Sequence, residues 1–307
     1  MGAGTWDCEV CATPDQPITG RAARGFRTSA GGREFVHPPY HVCQCVACGV
    51  YRKTARVGDA ELERYYELLD FETFENAALM PPDRLVVAAA RTLPAGSRIL
   101  DYGCGVGRSL APSTDRHQCF GVEPNGRAAA LAASRGITLV DAAALEGAFA
   151  GSFDLVVASD VYEHLPRPAA TVRRLAACLK PGGSLILVTG FADGVRPREL
   201  LAEFWYFRIV GHLHMVSERH LRWLAAEARL ALESHRTLSH YDPSPLRDLL
   251  QRFRLWAYAT THLAPSGTLA RLVARLPVVG RAALWSNAPM HSGGADHVFA
   301  VFRKSRD

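Results

Sequence analysis

Apolar residues along the middle of the chain come in short runs that polar loops separate. Such runs cover residues 97–101, 119–123, 137–140, 153–159 and 184–189, and helix-compatible stretches lie between several of them. Repetition of strand, loop and helix is typical of a parallel sheet with helices on its faces. The pattern therefore predicts an α/β fold.

The flanking segments have their own patterns. Residues 56–92 have helical spacing, with tyrosines that either roof a ligand or only pack. An amphipathic helix over 218–229 and a sixth strand over 230–238 follow the central repeat. Residues 241–289 read as a mostly helical insertion, which either covers the ligand edge of the sheet or serves as a packing or dimer element.

The first strand ends in a glycine-rich loop. Asp101 follows the apolar pair Ile99–Leu100, and Gly103, Gly105 and Gly107 occupy alternate positions after it. Glycines allow a tight turn and close approach of the backbone to a ligand, and a helix is expected from about Gly107. A carboxylate at the tip of the strand suits a ligand that carries a positive charge.

A second carboxylate, Glu123, closes the next strand, 123 − 101 = 22 residues further on. This offset corresponds to one helix and one strand. A carboxylate at the end of the second strand can accept hydrogen bonds from both ribose hydroxyls of a nucleoside.

The order of these pieces resembles the class I S-adenosylmethionine (SAM) methyltransferases. The motifs are D-x-G-x-G-x-G at 101–107, Glu123, F-D-L-V at 153–156, E-H-L at 163–165 and K-P-G-G at 180–183. The resemblance covers about residues 96–190 and resumes at a final antiparallel strand over 296–303. It implies a Rossmann-like, seven-stranded, mostly parallel sheet.

The resemblance also implies roles for individual residues. Asp101, Gly103 and Gly105 are expected to hold the methionine moiety of SAM, and Glu123 the ribose. Asp141, after the third strand, is expected to bind the adenine amino group. Ser159, at the end of the fourth strand, completes the expected cofactor-binding set.

Five of the eight cysteines precede residue 50. Two C-x-x-C knuckles resemble a zinc ribbon, in which four thiolates close a structural site. The expected ligands are Cys8, Cys11, Cys45 and Cys48, with Cys43 as a substitute; unrelated reduced cysteines are the alternative. The predicted organisation is a zinc-ribbon-like module over 1–55, a helical linker or lid over 56–92, and a methyltransferase domain over 93–307 with a substrate-side insertion at about 191–295.

Histidines are the candidate general bases for an oxygen acceptor. The candidates are His164, His212, His214 and His220, of which His214 is the first choice and His212 the second. Asp160, Glu163 and His164 form D-x-x-E-H, which resembles an E-x-x-E-H group that is linked to a divalent metal in ubiquinone-pathway O-methyltransferases. Capping and packing of the following turn is the alternative that the sequence favours for this group.

The net charge and the length of the apolar runs limit the expected partners and location of the protein. A net charge of +5 without a dense Lys/Arg cluster argues against nucleic acid as a partner. The chain begins without signal-peptide features, and no apolar run reaches the ~18 residues of a membrane span, so we expect a cytoplasmic protein with no membrane partner. The oligomeric state stays open between monomer and homodimer.

The predicted function is SAM-dependent methyl transfer to a small molecule. Zinc knuckles ahead of such a core resemble sugar and secondary-metabolite methyltransferases. This resemblance implies O-methylation of a secondary metabolite or a sugar-containing compound, with a histidine as the expected base. The alternatives are an RNA or tRNA methyltransferase that reads its substrate with the zinc module, and a protein that binds SAM without transferring methyl.

Overall fold

The computed structural model describes residues 5–13, 16–17, 22–69, 78–195, 198–242, 244–263, 265–276, 288 and 296–306. Its strands, in chain order, are β1 (Thr5–Trp6), β2 (Gln16–Pro17), β3 (Ala22–Ala23), β4 (Phe26–Ala30), β5 (Arg33–His37), β6 (Tyr40–Gln44), β7 (Tyr51–Lys53), β8 (Arg98–Tyr102), β9 (Gln118–Val122), β10 (Thr138–Leu139), β11 (Phe153–Ser159), β12 (Leu179–Gly190), β13 (His214–Met215), β14 (Leu230–Leu238) and β15 (His297–Lys304). Its α-helices are α1 (Asp59–Glu67), α2 (Pro81–Arg91), α3 (Gly126–Ser134), α4 (Pro168–Cys178), α5 (Glu218–Glu227), α6 (Pro245–Leu263) and α7 (Thr268–Arg275).

Seven of these strands form one sheet in the order β10–β9–β8–β11–β12–β15–β14. Neighbours pair in parallel from β10 to β12, and β15 runs antiparallel to both β12 and β14. The central strands contain continuous buried apolar stretches, at 155–158 of β11 and 185–188 of β12, because both faces of the sheet are covered. The predicted Rossmann-like, mostly parallel seven-stranded fold is confirmed.

The helix predicted from Gly107 is wrong. Turns follow the glycine loop, and the segment between β8 and β9 contains a single 3-10 turn, Ala111–Ser113. Two features oppose an α-helix there: Pro112 removes a backbone donor, and glycine disfavours helix by about 1 kcal/mol. By contrast, the strands predicted over 153–159 and 230–238 have the predicted bounds.

The K-P-G-G turn at 180–183 lies inside β12 as an irregularity. Phe153 of β11 pairs with Leu179, but Leu155 pairs with Ser184, so β12 carries extra residues at this point. Gly182 has φ +74°, a left-handed conformation that glycine adopts without strain. A sequence motif that predicts a turn is therefore built as a bulge at the start of a strand.

The cysteine-containing segment shares its sheet and its core with the rest of the chain. A four-stranded sheet has the order β13–β7–β6–β3, so β13, which lies far downstream, pairs with β7. Cys8, Cys45 and Cys48 are fully buried in the same apolar cluster as Leu221 and Leu224 of α5. Strands of two to five residues bury too little surface to stand alone, so this packing stabilises them. The domain boundary at residue 55 remains a prediction.

The predicted helical character of the insertion is confirmed where the structure describes it, in α6 and α7. Residues 277–287 and 289–295 of the predicted insertion lie outside the described residues, as do 70–77 of the predicted helical linker. Among the described helices, none combines the length and apolarity that crossing a membrane requires.

Candidate functional site

The glycine loop after β8 is open at its tip. Gly103 has φ +78°, and a Cβ at this position would lie 2.4 Å from Val161 Cγ2. Gly105 has φ +52°, and nothing lies within 4 Å of the place that its Cβ would take. The first glycine is required by packing, whereas the second leaves space over the backbone where a ligand can approach closely.

Asp101 is buried beneath this loop with only one oxygen satisfied. Ser109 Oγ donates to Asp101 Oδ2 at 2.6 Å, while Oδ1 has no hydrogen-bond partner within the described part of the chain. Burial raises the pKa of the Asp101 carboxyl to about 7. A buried carboxylate oxygen without a hydrogen-bond partner is unfavourable, so a ligand cation that pairs with it stabilises the complex strongly.

Glu123 joins the glycine loop to the start of α3. Its Oε2 accepts from the backbone N–H of Gly105 at 2.9 Å, and its Oε1 accepts from that of Asn125 at 2.8 Å. Burial raises the pKa of the Glu123 carboxyl. Each oxygen keeps a second lone pair for a hydroxyl donor, so the geometry leaves room for ribose.

The other two predicted cofactor residues lie along the same edge. Asp141 is exposed after β10, and its Oδ1 accepts from the backbone N–H of Ala143 at 2.8 Å. Ser159, half-buried, ends β11, and its Oγ lies 3.4 Å from Asp160 Oδ2. The structure thus brings all the predicted cofactor residues to the carboxyl ends of the parallel strands, where α/β folds bind ligands. Their individual contacts with a cofactor stay predictions.

A cluster of titratable side chains lies at the end of β11. Asp160 Oδ1 is 3.6 Å from His240 Nδ1 and 3.8 Å from His297 Nε2. Asp160 has φ +54°, which is uncommon for a residue other than glycine and marks local strain. The other ring nitrogen of His297, Nδ1, lies 3.0 Å from Asp296 Oδ1.

The electrostatic environment of His297 favours its charged form. Burial lowers the pKa of the His297 imidazole, but the hydrogen bond to Asp296 and the charges of Asp296, Asp160 and Glu163 outweigh burial, so this pKa is raised. A histidine held through Nδ1 by a carboxylate presents Nε2 to a reacting group.

Glu163, His164 and His212 form a second group, whose ligand atoms lie within 4.8 Å of one another. Thr189 Oγ1 donates to Glu163 Oε2 at 2.9 Å, and burial together with the Asp160 charge raises the pKa of Glu163 to about 7. His164 Nδ1 is 2.7 Å from Tyr66 Oη. The D-x-x-E-H motif is therefore divided, because Asp160 faces His240 and His297 while its other two members face His212.

The role of His214 as general base stays a prediction; its side chain is buried to about the same extent as that of His297. His214 is 1% exposed, belongs to β13, and its Nε2 lies 3.1 Å from the carbonyl oxygen of Leu165. Burial lowers the pKa of His214 to about 3 and that of His164 to about 4, and it lowers the pKa of His212 well below its usual value. Desolvation makes each of these histidines a weak base.

Sequence reasoning missed Asp296, His297 and His240 as site residues. A signal was available, since the final strand was expected to run antiparallel. An antiparallel strand begins at the edge where its parallel neighbours end, so the polar pair at its start lies beside Asp160. Aromatic rings surround this point: Trp205 lies 6.3 Å from His297 and 6.4 Å from Tyr241, and Tyr206 lies 5.6 Å from His297, between ring centroids.

The four predicted zinc ligands come together. The Sγ atoms of Cys8, Cys11, Cys45 and Cys48 all lie within 4.8 Å of one another, with Cys8–Cys48 at 3.8 Å and Cys11–Cys45 at 3.6 Å. Sulfurs bound tetrahedrally to one zinc ion are about 3.8 Å apart, so the residues fit this metal. Cys43 is buried and does not belong to the group.

This thiolate cluster is joined to the turn that contains Glu163 and His164. His220 Nδ1 lies 2.9 Å from the carbonyl oxygen of Cys48, and its Nε2 lies 2.5 Å from Tyr162 Oη. Ser217 Oγ donates to the carbonyl oxygen of Gly49 at 2.7 Å. The second knuckle therefore supports the elements behind the candidate active site.

A mostly parallel sheet with one reversed strand, a glycine loop after its first strand and a carboxylate after its second define the class I SAM-dependent methyltransferases. Residues 74–235, more than half of the chain, match the family described as "Methyltransferase domain". The chain belongs to this family.

Relatives and solved structures agree with this assignment. Over 117 residues, the chain is 38% identical to the ubiquinone biosynthesis O-methyltransferase of Xanthomonas axonopodis pv. citri. The matched region covers 35% of this chain and 49% of that protein. The chain is 31% identical over 150 residues to the protein of the same name from Ralstonia nicotianae, covering 44% and 63%. The chain thus spans about half the length of the first of these relatives. The YcgJ protein of Bacillus subtilis shares the fold, with a TM-score of 0.51 at 18% identity, over 74% of this chain and 98% of that one.

We expect the binding of S-adenosylhomocysteine to depend on pH through Asp101. The carboxyl has a pKa of about 7 in the free protein, and a bound ammonium favours its ionised form. Affinity should therefore be full above pH 7 and fall by up to about tenfold per pH unit below it. Calorimetry from about pH 5.5 to about pH 8.5 measures this change in affinity with pH.

Two controls isolate this effect. Methylthioadenosine lacks the ammonium group, so the contribution of Asp101 to its pH dependence should vanish. Asp101→Asn should bind S-adenosylhomocysteine more weakly and with a flatter profile. Equal slopes for both ligands in the parent protein would contradict a contact between Asp101 and the ammonium.

Proposed function

We propose that this chain transfers the methyl group of SAM to a hydroxyl oxygen of a small-molecule acceptor. One observation carries the proposal: the edge of the sheet that holds Asp101 and Glu123 also holds the Asp296–His297 pair beside Asp160. The proposed donor site and the proposed base thus share one edge of the sheet, with the ends of β11 and β12 between them. The similarity to ubiquinone biosynthesis O-methyltransferases supports the choice of oxygen.

The sulfonium of SAM needs no further activation, so the protein has to align the acceptor oxygen with the S–CH₃ bond and exclude water. His297 Nε2 is proposed to take the proton of the hydroxyl, and Asp296 to hold the imidazole through Nδ1. Asp160, whose carboxylate faces Nε2, stabilises the imidazolium that forms. The methyl group forms a C–O bond as the C–S bond breaks, and S-adenosylhomocysteine leaves.

The walls near His297 favour a planar acceptor. Trp205 is nearly parallel to His297, with 27° between the ring planes, and Tyr206 and Tyr241 complete an aromatic surround. An aromatic ring gains from stacking against such side chains. We therefore propose a phenolic hydroxyl, as in many secondary metabolites, in preference to a sugar hydroxyl.

A structural zinc ion bound by Cys8, Cys11, Cys45 and Cys48 is part of this proposal. Four thiolates leave no open position, so the metal would supply stability and no catalytic step. The carbonyl groups of Cys48 and Gly49 accept hydrogen bonds from His220 and Ser217 respectively, so this knuckle faces the protein interior. This orientation favours a structural role over a reader of RNA.

The test uses SAM with a deuterated methyl group and matched acceptors. Catechol, a mono-methylated catechol, a hexose and aniline are each incubated with the protein, and mass spectrometry locates the label. We expect label on oxygen, with catechol preferred. Label on nitrogen alone would contradict O-methylation, and SAM binding without label on any acceptor of a wider phenol panel would favour a protein that does not transfer methyl.

A further inference from the structure

Exposed large apolar side chains concentrate on two helices. Of the twelve such residues within the described part of the chain, eight belong to α6 or α7 and a ninth, Leu276, directly follows α7. We call them the α6–α7 face; they are Leu246, Leu249, Leu250, Phe253, Trp256, Leu263, Leu269, Leu272 and Leu276. Single exposed hydrophobic residues are ordinary, but a concentration of this size marks an interaction surface.

Helical periodicity places these residues together. On α6, Leu246, Leu249, Leu250, Phe253 and Trp256 follow the spacing i, i+3, i+4, i+7 and i+10, which is one face of an α-helix. Their exposed fractions run from 67% at Leu246 to 44% at Trp256.

The other side of each helix is fixed to the protein. Ala257, Tyr258 and Thr261 of α6 are buried, and Tyr258 Oη donates to the carboxylate of Glu203. Ala270 and Val273 of α7 are buried as well, while Leu269 and Leu272 are 55% exposed. Both helices are therefore anchored by one side and present an apolar stripe on another.

Positive charge flanks the stripe. Residues 245–276 contain five arginines and one aspartate, so their net charge is 5 − 1 = +4. The aspartate, Asp248, is already paired with Arg252 at 2.7 Å. At 3.6 residues per turn, Arg254 lies roughly 100° to one side of the centre of the α6 stripe, and the ion-paired Arg252 lies roughly 100° to the other.

We propose that the α6–α7 face lies in the surface of a bilayer that contains anionic lipids. Apolar side chains between flanking arginines are the pattern of a helix that rests in the interfacial plane. Phe253 and Trp256 stack with ring centroids 5.5 Å apart, and aromatic rings favour the depth of the lipid headgroups. This association is peripheral, and it is independent of the proposed methyl transfer.

The positive charge of the α6–α7 face favours an anionic membrane over a second copy of the chain as its binding partner. A two-fold interface through this face would bring the arginine-flanked stripes of two protomers together, and like charges would oppose it. Anionic headgroups instead meet the arginines while the acyl chains cover the leucines. The prediction of no membrane partner, which rested on the lack of a spanning run, does not address a surface of this kind.

Sedimentation with vesicles tests the proposal on the full chain. We expect binding to vesicles of equal parts phosphatidylglycerol and phosphatidylcholine, weaker binding to phosphatidylcholine alone, and loss with added salt. Phe253→Ser/Trp256→Ser should reduce the bound fraction at least about tenfold. The matched control is Val36→Ser/Val46→Ser, which removes two exposed apolar residues elsewhere and should bind as the parent does.

A second variant keeps the apolar face and changes the charge. Arg247→Gln/Arg254→Gln should lose the preference for anionic vesicles while it still binds S-adenosylhomocysteine, which reports an intact fold. Failure of the parent protein to bind anionic vesicles would overturn the proposal. So would sedimentation velocity that shows a dimer in the parent and a monomer in Phe253→Ser/Trp256→Ser, because the face would then be an interface between copies.

Discussion

Replacement of both Cys45 and Cys48 by serine is expected to abolish zinc binding and to lower the thermal midpoint of unfolding by roughly 10 °C or more. The parent should contain one zinc ion per chain. The effect is large because the thiolates lie inside the shared apolar core, where Cys45 and Cys48 are both 0% exposed. The hydrogen bond between Cys8 and Cys48 lowers the pKa of the Cys8 thiol and raises that of the Cys48 thiol, so zinc binding has to displace the proton that the pair retains.

Cys43→Ser is the matched control. Cys43 is as buried as Cys45 and lies on the same segment, but it is outside the thiolate cluster. Its variant should keep one zinc ion per chain by elemental analysis. Loss of zinc from Cys43→Ser would make Cys43 a ligand, and a parent protein free of zinc when purified without chelator would reject the site.

His297→Ala is expected to lower kcat by roughly 10²–10⁴-fold, the usual size of general-base catalysis. Affinity for S-adenosylhomocysteine should barely change, because the imidazole faces the acceptor. The pKa of His297 is raised, so the acid limb of the parent's pH–rate profile should lie above the ~6.5 of an ordinary imidazole. Activity is lost as pH falls through this limb, since a protonated imidazole accepts no proton.

Asp296→Asn tests the cause of the raised pKa. It removes the carboxylate that stabilises the imidazolium, so the limb should move to lower pH and kcat should fall less than in His297→Ala. A merely structural role for Asp296 would leave the position of the limb unchanged.

His214→Ala and His164→Ala test the histidines that the sequence pattern favours as the base, by comparison of their kcat with that of His297→Ala. Nε2 of His214 is held by the carbonyl oxygen of Leu165, so we expect its loss to affect stability more than kcat. Full kcat in His297→Ala, together with collapse of kcat in His164→Ala or His214→Ala, would reassign the base.

The parallel part of the sheet, and the placement of Asp101 and Glu123 at its strand ends, could be predicted from the sequence. These features are local: a strand period of two, a helical period of 3.6, and glycines at fixed offsets after Asp101. The C-x-x-C spacing likewise determined which four cysteines could meet, because each knuckle is a single turn. Where local propensity conflicted with the expected pattern, as at Pro112, the predicted helix failed.

Contacts between side chains that are distant in the sequence depend on the tertiary structure and could not be predicted from local patterns. Asp160 and His297 are separated by 137 residues (297 − 160 = 137), and the reversal of β15 brings them to one edge. β14 is antiparallel to β15 and ends at the same edge, just before His240. His214 and His297 are both buried, and their pKa values differ because of what the fold places beside each ring: Arg52 beside His214, and the carboxylates of Asp296 and Asp160 beside His297. The exposure of the α6–α7 face has the same origin, because periodicity defines an apolar stripe but only packing determines whether protein covers it.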